Sequence, residues 1–231
     1  MRRFFALPLL LACAACSQEN APAEQIAKEA EKIVAPTPSP MARGRFAPQD
    51  TCGPVAGAGE FRSRLAAAVR SRDAAALAAL AASDIKLDFG GSEGAAELRK
   101  RLDDPSWGLW SELDELLLLG CSANKQGGIT IPWYFDQDFG GADPFAAMLV
   151  TGEDVPVLEA PDPASPRIAA ISWDLVEIPS LESDRPYQQV RLGDGTTGFV
   201  ATGKLRSVID YRLIASSRND RWRITSFVAG D

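Results

Sequence analysis

Histidine is absent from the 231 residues of this chain, and this absence limits the chemistry that the chain can carry. Ser-His-Asp and Cys-His catalysis both need an imidazole as general base, and many zinc sites need it as a ligand. Ser122 and Lys125 have the Ser-x-x-Lys spacing of serine acyl-enzymes. They stand between Gly120 and the Gly127-Gly128 pair rather than at the start of a helix, where that chemistry needs the serine. The sequence therefore predicts no catalytic residue, no metal ligand and no cofactor.

Two aspartates in the first half are a candidate carboxylate pair. Asp84 and Asp88 lie four residues apart in a predicted strand, where about 13 Å would separate them. Glycosidases need roughly 5 to 9.5 Å between their two carboxyl groups. The two aspartates are therefore interpreted as part of a solvated face.

A second acidic segment follows an aromatic run that begins at Trp133. Asp136 and Asp138 come next and are followed by glycines, as in a calcium loop, but Ala147 stands where the bidentate glutamate belongs. Two interpretations remain open. Trp133, Asp136 and Asp138 line a pocket for a polar ligand, or the aromatic residues belong to the core and the aspartates form turns.

The overall composition is that of an acidic globular protein. A net charge of −7 argues against a nucleic-acid surface, because such a surface needs basic residues to neutralise phosphates. No polybasic cluster suited to anionic lipid is visible in the sequence. The hydrophobic fraction of 46% can supply a core, and the length predicts one or two domains plus a tail.

The N-terminus has the form of an export signal. Arg2 and Arg3 precede an apolar run from Phe4 to Ala15, which is shorter than the roughly 20 residues of a membrane-spanning helix. Because small residues precede Cys16, the segment resembles a bacterial lipoprotein signal. The resemblance implies that residues 1–15 are a signal peptide and that lipidated Cys16 anchors the chain to a membrane.

Two alternatives remain for this segment. Cys13 has Leu10 three residues before it, as the lipoprotein pattern usually requires, whereas Cys16 has Cys13 at that position. The other alternative is a plain cleaved signal with incidental cysteines. Ser17, in place of an aspartate, follows Cys16, and the resemblance then implies an outer-membrane lipoprotein that faces the periplasm.

Residues 16–51 are predicted to be a disordered tether, because four prolines fall between residues 36 and 48. A flexible coil of this length has an end-to-end distance of roughly 30 to 35 Å. Beyond it lie two further cysteines, Cys52 and Cys121. In an oxidising compartment this even pair predicts a disulfide, which in the chain-entropy account stabilises the fold by roughly 4 kcal/mol.

Residues 52–146 are predicted to form a helical α+β domain. Phe61, Leu65 and Val69 recur at helical spacing, and Asp73 is a suitable N-cap for a second helix. Residues 84–91 alternate like a half-buried strand, with Ile85, Leu87 and Phe89 on the inner face, and further helices and a strand follow.

The last third contains short strand-like runs separated by Pro, Gly, Asp and Asn, a pattern that favours a small closed barrel. Asp194-Gly195 has the composition of a tight hairpin turn. With Gly198-Phe199-Val200 after that turn and Leu205 at the end, residues 147–207 resemble a bacterial SH3-like domain. Tyr187 stands where this family usually has a tryptophan.

The resemblance implies a binding module whose ligand is peptidoglycan or an envelope protein. Three aromatic residues of the segment, Tyr187, Trp173 and Phe199, are candidates for a groove that takes a peptide or a glycan. The alternative is that they fill a small core, and the alternation around Trp173 favours the core for that residue.

Residues 208–231 are predicted to form a β-hairpin with its turn at residues 218–220. A lone hairpin is marginal in water and needs a partner surface. If it pairs with the early strands, the first half resembles the cone of the nuclear transport factor 2 type, and the SH3-like segment is an insertion in it. The alternative is two consecutive domains, with the hairpin packed on the barrel. The predicted fold class is α+β in both cases.

These patterns predict a non-catalytic cell-envelope lipoprotein that binds a cell-wall component or a partner protein through its SH3-like module. The alternative function is a small-ligand-binding protein or carboxylate-dependent enzyme with a pocket in the α+β half. A pocket lined by Trp133 and aspartates would favour that alternative, whereas an exposed aromatic groove on the barrel would favour the binding module.

Overall fold

The computed structural model describes residues 43–182 and 184–230 as a mixed α+β protein. The predicted signal, Cys13, Cys16 and the tether up to residue 42 lie outside these residues. In chain order the α-helices are α1 (Ala58–Ser71), α2 (Ala74–Leu80), α3 (Ala95–Asp103) and α4 (Leu109–Leu118). The strands are β1 (Ala81–Lys86), β2 (Ser122–Ala123), β3 (Ile129–Ile131), β4 (Ala147–Val150), β5 (Val155–Leu158), β6 (Arg167–Ile171), β7 (Leu175–Glu177), β8 (Tyr187–Arg191), β9 (Thr197–Ala201), β10 (Leu205–Ser207), β11 (Arg212–Arg218) and β12 (Arg221–Val228).

The helices follow the apolar spacing of the sequence. In α1 the buried face contains Phe61, Leu65 and Val69, as their spacing predicts. Asp73 caps α2 as predicted, since its side chain accepts a hydrogen bond from the backbone N–H of Ala76 at 2.9 Å. No helix of the described residues has the length and apolar character needed to cross a membrane.

The first sheet has five strands in the order β1-β12-β11-β3-β2, with β1 parallel to β12 and the other pairs antiparallel. The C-terminal hairpin β11–β12 therefore lies between β1 and β3, which come from the helical half. The helices cover one face of this sheet, where Trp222, Ile224 and Phe227 of β12 are buried in the same core as α1.

Strand β1 begins and ends earlier than the alternation predicts. Ile85 and Leu87 are buried as expected, but Phe89 is 47% exposed and lies beneath the Lys86 ammonium group. Asp88 is part of a turn rather than a strand face, since its carboxylate accepts hydrogen bonds from Arg101 and Ser92. The Arg101 side chain holds the pKa of Asp88 well below its ordinary value.

The second sheet is an insertion between β3 and β11. Its seven antiparallel strands have the order β10-β4-β7-β8-β9-β5-β6 and occupy residues 147–207. Leu213 of β11 pairs directly with Ile131 of β3, so the chain leaves the first sheet after β3 and returns to the neighbouring position. Of the two arrangements that the sequence left open, this topology is the inserted one.

The second sheet is curled but is not the closed barrel that the strand pattern predicted. Strands β4 and β5 are four positions apart in the sheet, about 19 Å if it were flat, yet only residues 151–154 connect them. Gly152 and Asp154 in this connection have positive φ angles, so it is a turn rather than an extended span. Within the described residues the outer strands β10 and β6 are not hydrogen-bonded to each other, and β10 instead directs Arg206 toward α4.

Besides the core of each sheet, a further cluster of buried side chains lies between the two sheets. It contains Phe46, Leu119, Trp133, Tyr134 and Leu149, which come from the N-terminal segment, the helical half and β4. The folded body therefore begins before the predicted boundary at residue 52. The prolines between residues 36 and 48 predict a disordered tether. Burial of the Phe46 side chain nevertheless offsets the entropy cost of ordering the end of this segment.

The structure contains the predicted disulfide between Cys52 and Cys121, whose Cα atoms are 5.8 Å apart. Both cysteines are fully buried, in the core that the helices form with the first sheet. Asp50 lies near both sulfur atoms, but sulfurs joined in a disulfide are not thiolate ligands for a metal. The bond ties the N-terminal segment to the strand that follows α4.

Gly120 provides a test of how closely this segment packs. Its φ angle is +79°, and an added Cβ would lie 2.1 Å from the Gln49 carbonyl oxygen. We expect Gly120→Ala to lower the free energy of unfolding by about 2–4 kcal/mol in urea titrations. Gly127→Ala is the matched control, because Gly127 has a φ of +80° with open space around it. This variant should lower the free energy of unfolding by only about 1 kcal/mol. Equal losses at the two glycines would contradict this packing.

Candidate functional site: an aromatic and proline-lined groove

Two of the predicted binding residues lie together on the outer face of the second sheet. In the β8–β9 ladder Gln189 pairs with Phe199 and Tyr187 pairs with Ala201, so Tyr187 and Phe199 are diagonal neighbours on one face. The opposite face is buried and contains Val190 and Val200. Tyr187 and Phe199 are half-buried, with their rings against a groove rather than in the core.

The groove has a volume of about 470 Å³ and combines ring faces with a polar rim. Three exposed prolines from the β5–β6 and β7–β8 connections line it, and proline carries no backbone N–H. The rim contains an ion pair between Arg185 and Glu182 and the side-chain amide of Gln189. Apolar walls with a few polar groups are typical of ligand sites. The lining prolines are Pro161, Pro179 and Pro186.

Gln188 fixes the rim and was not predicted as a site residue. It is 3% exposed, and its amide nitrogen donates to the Glu182 carbonyl at 2.7 Å and to Thr202 Oγ1 at 3.0 Å. Its amide oxygen accepts from the Glu182 N–H at 3.1 Å, so the rim loop is held on both sides. A polar residue at an inward-facing strand position is the sequence signal for such a role. Because this loop is already ordered, less conformational entropy is lost when a ligand binds.

Trp173 lies elsewhere. It has a positive φ of 44° in the turn between β6 and β7, where its N–H donates to Gly152 and its carbonyl accepts from Phe46. The side chain packs against the cluster that joins the two sheets and lines a different cavity, of about 410 Å³. The predicted trio of aromatic residues is therefore divided, with two in the groove and Trp173 half-buried at the junction.

The Trp133 segment does not assemble the pocket that its sequence suggested. Trp133 is 7% exposed and packs in the joining cluster, whereas Asp136 and Asp138 are exposed. The Asp138 carboxylate accepts a hydrogen bond from the N–H of Gly140 at 2.8 Å, which is the geometry of an Asx turn. These positions fit the interpretation in which the aromatic residues are core and the aspartates form turns.

A larger cleft, of about 600 Å³, lies along β7 and the turn between β8 and β9. Its arginines already have partners in the protein. Arg191 is ion-paired with Glu177, and Arg45 donates to the Asp138 carbonyl at 2.7 Å while lying over the Phe46 ring. This cleft therefore offers few free polar groups, and the Tyr187–Phe199 groove is the better candidate for a binding site.

A buried ion-pair network lies at the junction and was also missed by the sequence. Arg206 of β10 is 6% exposed and is bonded to Glu112, to Glu115 at 3.2 Å and to Tyr134 Oη at 3.2 Å. Asp210 lies 3.6 Å from the same guanidinium. Burial raises the pKa of Glu112 and raises the pKa of Tyr134 to about 12. The network ties the second sheet to α4.

Comparison with known proteins identifies no relative of this chain, since no protein-family model, no curated protein and no solved structure matches it.

Proposed function

We propose that this chain is a non-catalytic lipoprotein of the bacterial cell envelope that binds a cell-wall component through the Tyr187–Phe199 groove. The observation that carries the proposal is the pair of accessible aromatic rings between three prolines on the second sheet. Sugar rings and peptide side chains both present apolar faces that pack on such rings. The amide of Gln189 and the charged rim provide hydrogen bonds to hydroxyl, amide and carboxyl groups.

A divergent SH3-like module is our proposal for the second sheet. Asp194-Gly195 forms the expected turn, in which Gly195 has a φ of +88° and the Asp194 carboxylate accepts from the Thr196 N–H at 2.8 Å. Gly198 is needed beside Phe199, because a Cβ there would lie 2.8 Å from the Leu158 carbonyl oxygen. The residues on which the SH3-like resemblance depends, Asp194-Gly195 and Gly198, are thus required by the local backbone of this sheet.

For the first half we propose a cone of the nuclear transport factor 2 type. Its support is the packing of the helices on one face of a sheet in which the late strands β11 and β12 lie between the early strands β1 and β3. In this arrangement the second sheet is an insertion that extends from the cone. The residues that line the proposed groove all come from this insertion.

The location in the envelope rests on the N-terminal sequence alone. Lipidation of Cys16 after cleavage of residues 1–15 would anchor the chain in the outer membrane on its periplasmic side. The segment between Cys16 and residue 42 would then separate the folded body from the membrane. Such a position brings the groove within reach of peptidoglycan, the ligand that we propose, with an envelope protein as the other partner considered.

Co-sedimentation with purified peptidoglycan tests this function. We expect the mature chain, made soluble by Cys16→Ser, to sediment with peptidoglycan, and Tyr187→Ala to weaken the apparent affinity about tenfold, or about 1.4 kcal/mol. Tyr187→Phe should retain binding, because the ring face is the proposed contact. Phe145→Ala is the matched control, since Phe145 is 75% exposed and does not line the groove.

Two results would count against wall binding. The first is equal sedimentation of the wild-type chain and Tyr187→Ala. The second is no sedimentation above a peptidoglycan-free blank, and capture of one envelope protein through the same groove would then support a partner protein as the ligand.

A further inference from the structure

An arginine-rich groove lies on the open face of the first sheet, opposite the helices. In the β11–β12 hairpin Arg218 pairs directly with Arg221, and Ser216 pairs with Arg223. Residues at opposed positions share a face, so the register brings all three arginines to the same side. The turn residues Asn219 and Asp220 both have positive φ angles, as a tight two-residue hairpin turn requires.

The groove has a volume of about 280 Å³, and its lining is mostly cationic and hydroxylated. Three guanidinium groups line it against one carboxylate, in a chain whose net charge is −7. The lining residues are Ala82, Asp84, Ser216, Arg218, Arg221, Arg223 and Thr225.

The three arginines differ from most others in the part of the chain that the structure describes. Within residues 43–182 and 184–230, no carboxylate lies within 4.0 Å of Arg218, Arg221 or Arg223, whereas arginines such as Arg62, Arg72 and Arg101 form ion pairs. The Arg223 guanidinium donates one hydrogen bond, to the Trp222 carbonyl at 3.0 Å. Like charges that are directly opposed on a strand pair destabilise the pair, so Arg218 and Arg221 weaken the hairpin unless an anion neutralises them.

We propose that this groove is a binding site for a phosphate group, distinct from the Tyr187–Phe199 groove. A phosphate presents several oxygens, and the planar guanidinium fork binds such oxygens in pairs. Ser216 and Thr225 add hydroxyl donors beside the arginines. The phosphate is carried by a soluble ester or by the headgroup of an anionic phospholipid, and both sources share this chemistry.

The test compares two triple variants with the same change in net charge. In the first, Arg218, Arg221 and Arg223 are all changed to Gln. In the control, the exposed helical residues Arg64, Arg70 and Arg99 are changed to Gln. Titration with inorganic phosphate, followed through the arginine side-chain N–H signals by NMR, should show saturable shifts for the wild type and the control. The apparent affinity of the groove variant should fall at least tenfold.

A second arm distinguishes the two sources. Sedimentation of the Cys16→Ser chain with phosphatidylglycerol vesicles, but not with phosphatidylcholine vesicles, and its loss in the groove variant alone would identify a lipid headgroup. Phosphate binding without vesicle binding would identify a soluble ester. The proposal is overturned if neither probe binds, or if the control loses binding as much as the groove variant. Circular dichroism establishes that both variants are folded, and the Tyr187→Ala chain should bind phosphate normally.

Discussion

Arg206→Leu is expected to lower the free energy of unfolding by about 3–5 kcal/mol, because it leaves Glu112 buried without its cation. The Arg206 side chain is 6% exposed and that of Glu112 is 18% exposed, so water cannot fully replace the lost partner. Urea unfolding of the variant against the wild type measures the loss. A large effect would show that one β10 side chain secures the second sheet to α4.

Two further variants distinguish the effect of an unpaired Glu112 charge from the effect of lost side-chain packing. Glu115→Gln removes a partner whose side chain is 66% exposed, and should change stability by less than about 1 kcal/mol. Arg206→Leu combined with Glu112→Leu removes both charges, and should recover most of the loss. A double variant as unstable as Arg206→Leu alone would contradict an uncompensated charge as the cause.

The loss in Arg206→Leu should also depend on pH. Burial raises the folded-state pKa of Glu112 above its ordinary 4.5, so its contribution to stability is largest below that pH and declines as pH rises through the folded-state pKa. Without Arg206 this pKa rises further. The deficit of Arg206→Leu relative to the wild type should therefore shrink as the pH is lowered from 7 toward 4.

Removal of the Cys52–Cys121 bond should have an effect of similar size. The two cysteines are 69 residues apart in sequence, and the chain-entropy account gives about 4 kcal/mol for closing a loop of that length. Guanidinium unfolding of Cys52→Ala combined with Cys121→Ala should show this loss relative to the oxidised wild type. The reduced wild-type chain is the matched control, since it should unfold within about 1 kcal/mol of the double alanine variant.

Two outcomes would contradict a structural disulfide. One is the same unfolding midpoint for the oxidised and the reduced wild type. The other is a pair of freely alkylatable thiols in protein isolated without reductant.

The sequence predicted the elements whose cause is local. The spacing of Phe61, Leu65 and Val69 specifies α1, and Asp73 caps α2 through its own side chain. Asp194-Gly195 forms its turn, and the two body cysteines form their disulfide. Each of these signals lies within a few residues of the structure that it determines, or rests on the chemistry of one residue type.

The sequence left the long-range pairing of the strands as two alternatives. Leu213 pairs with Ile131, although the whole inserted sheet separates them in sequence. Alternation of apolar residues does not state which strand lies beside which. Phe46 is buried although its neighbours are those of a linker. The predicted closed barrel is an open curled sheet in which β10 and β6 are the outer strands, and alternation does not state whether two such strands pair.

The candidate site was only partly predictable, because it combines local signals with long-range contacts. Tyr187 and Phe199 are candidates because they are aromatic residues of the segment that resembles an SH3-like domain, and the β8–β9 register places them on one face. The prolines that line the groove come from separate connections, and Gln188 acts through a loop that follows β7. The convergence of Arg218, Arg221 and Arg223 likewise needs the hairpin register, which three scattered arginines in a sequence do not reveal.

Binding of a cell-wall component at the Tyr187–Phe199 groove is tested most directly by an NMR titration of the ¹⁵N-labelled mature chain with a soluble disaccharide–peptide fragment of peptidoglycan. We predict saturable shifts of backbone amides in β8 and β9 around Tyr187, Gln189 and Phe199, with the mass of the fragment unchanged after prolonged incubation. Shifts that map elsewhere would contradict binding at this groove. Conversion of the fragment that stops when one acidic side chain is neutralised would contradict a non-catalytic role.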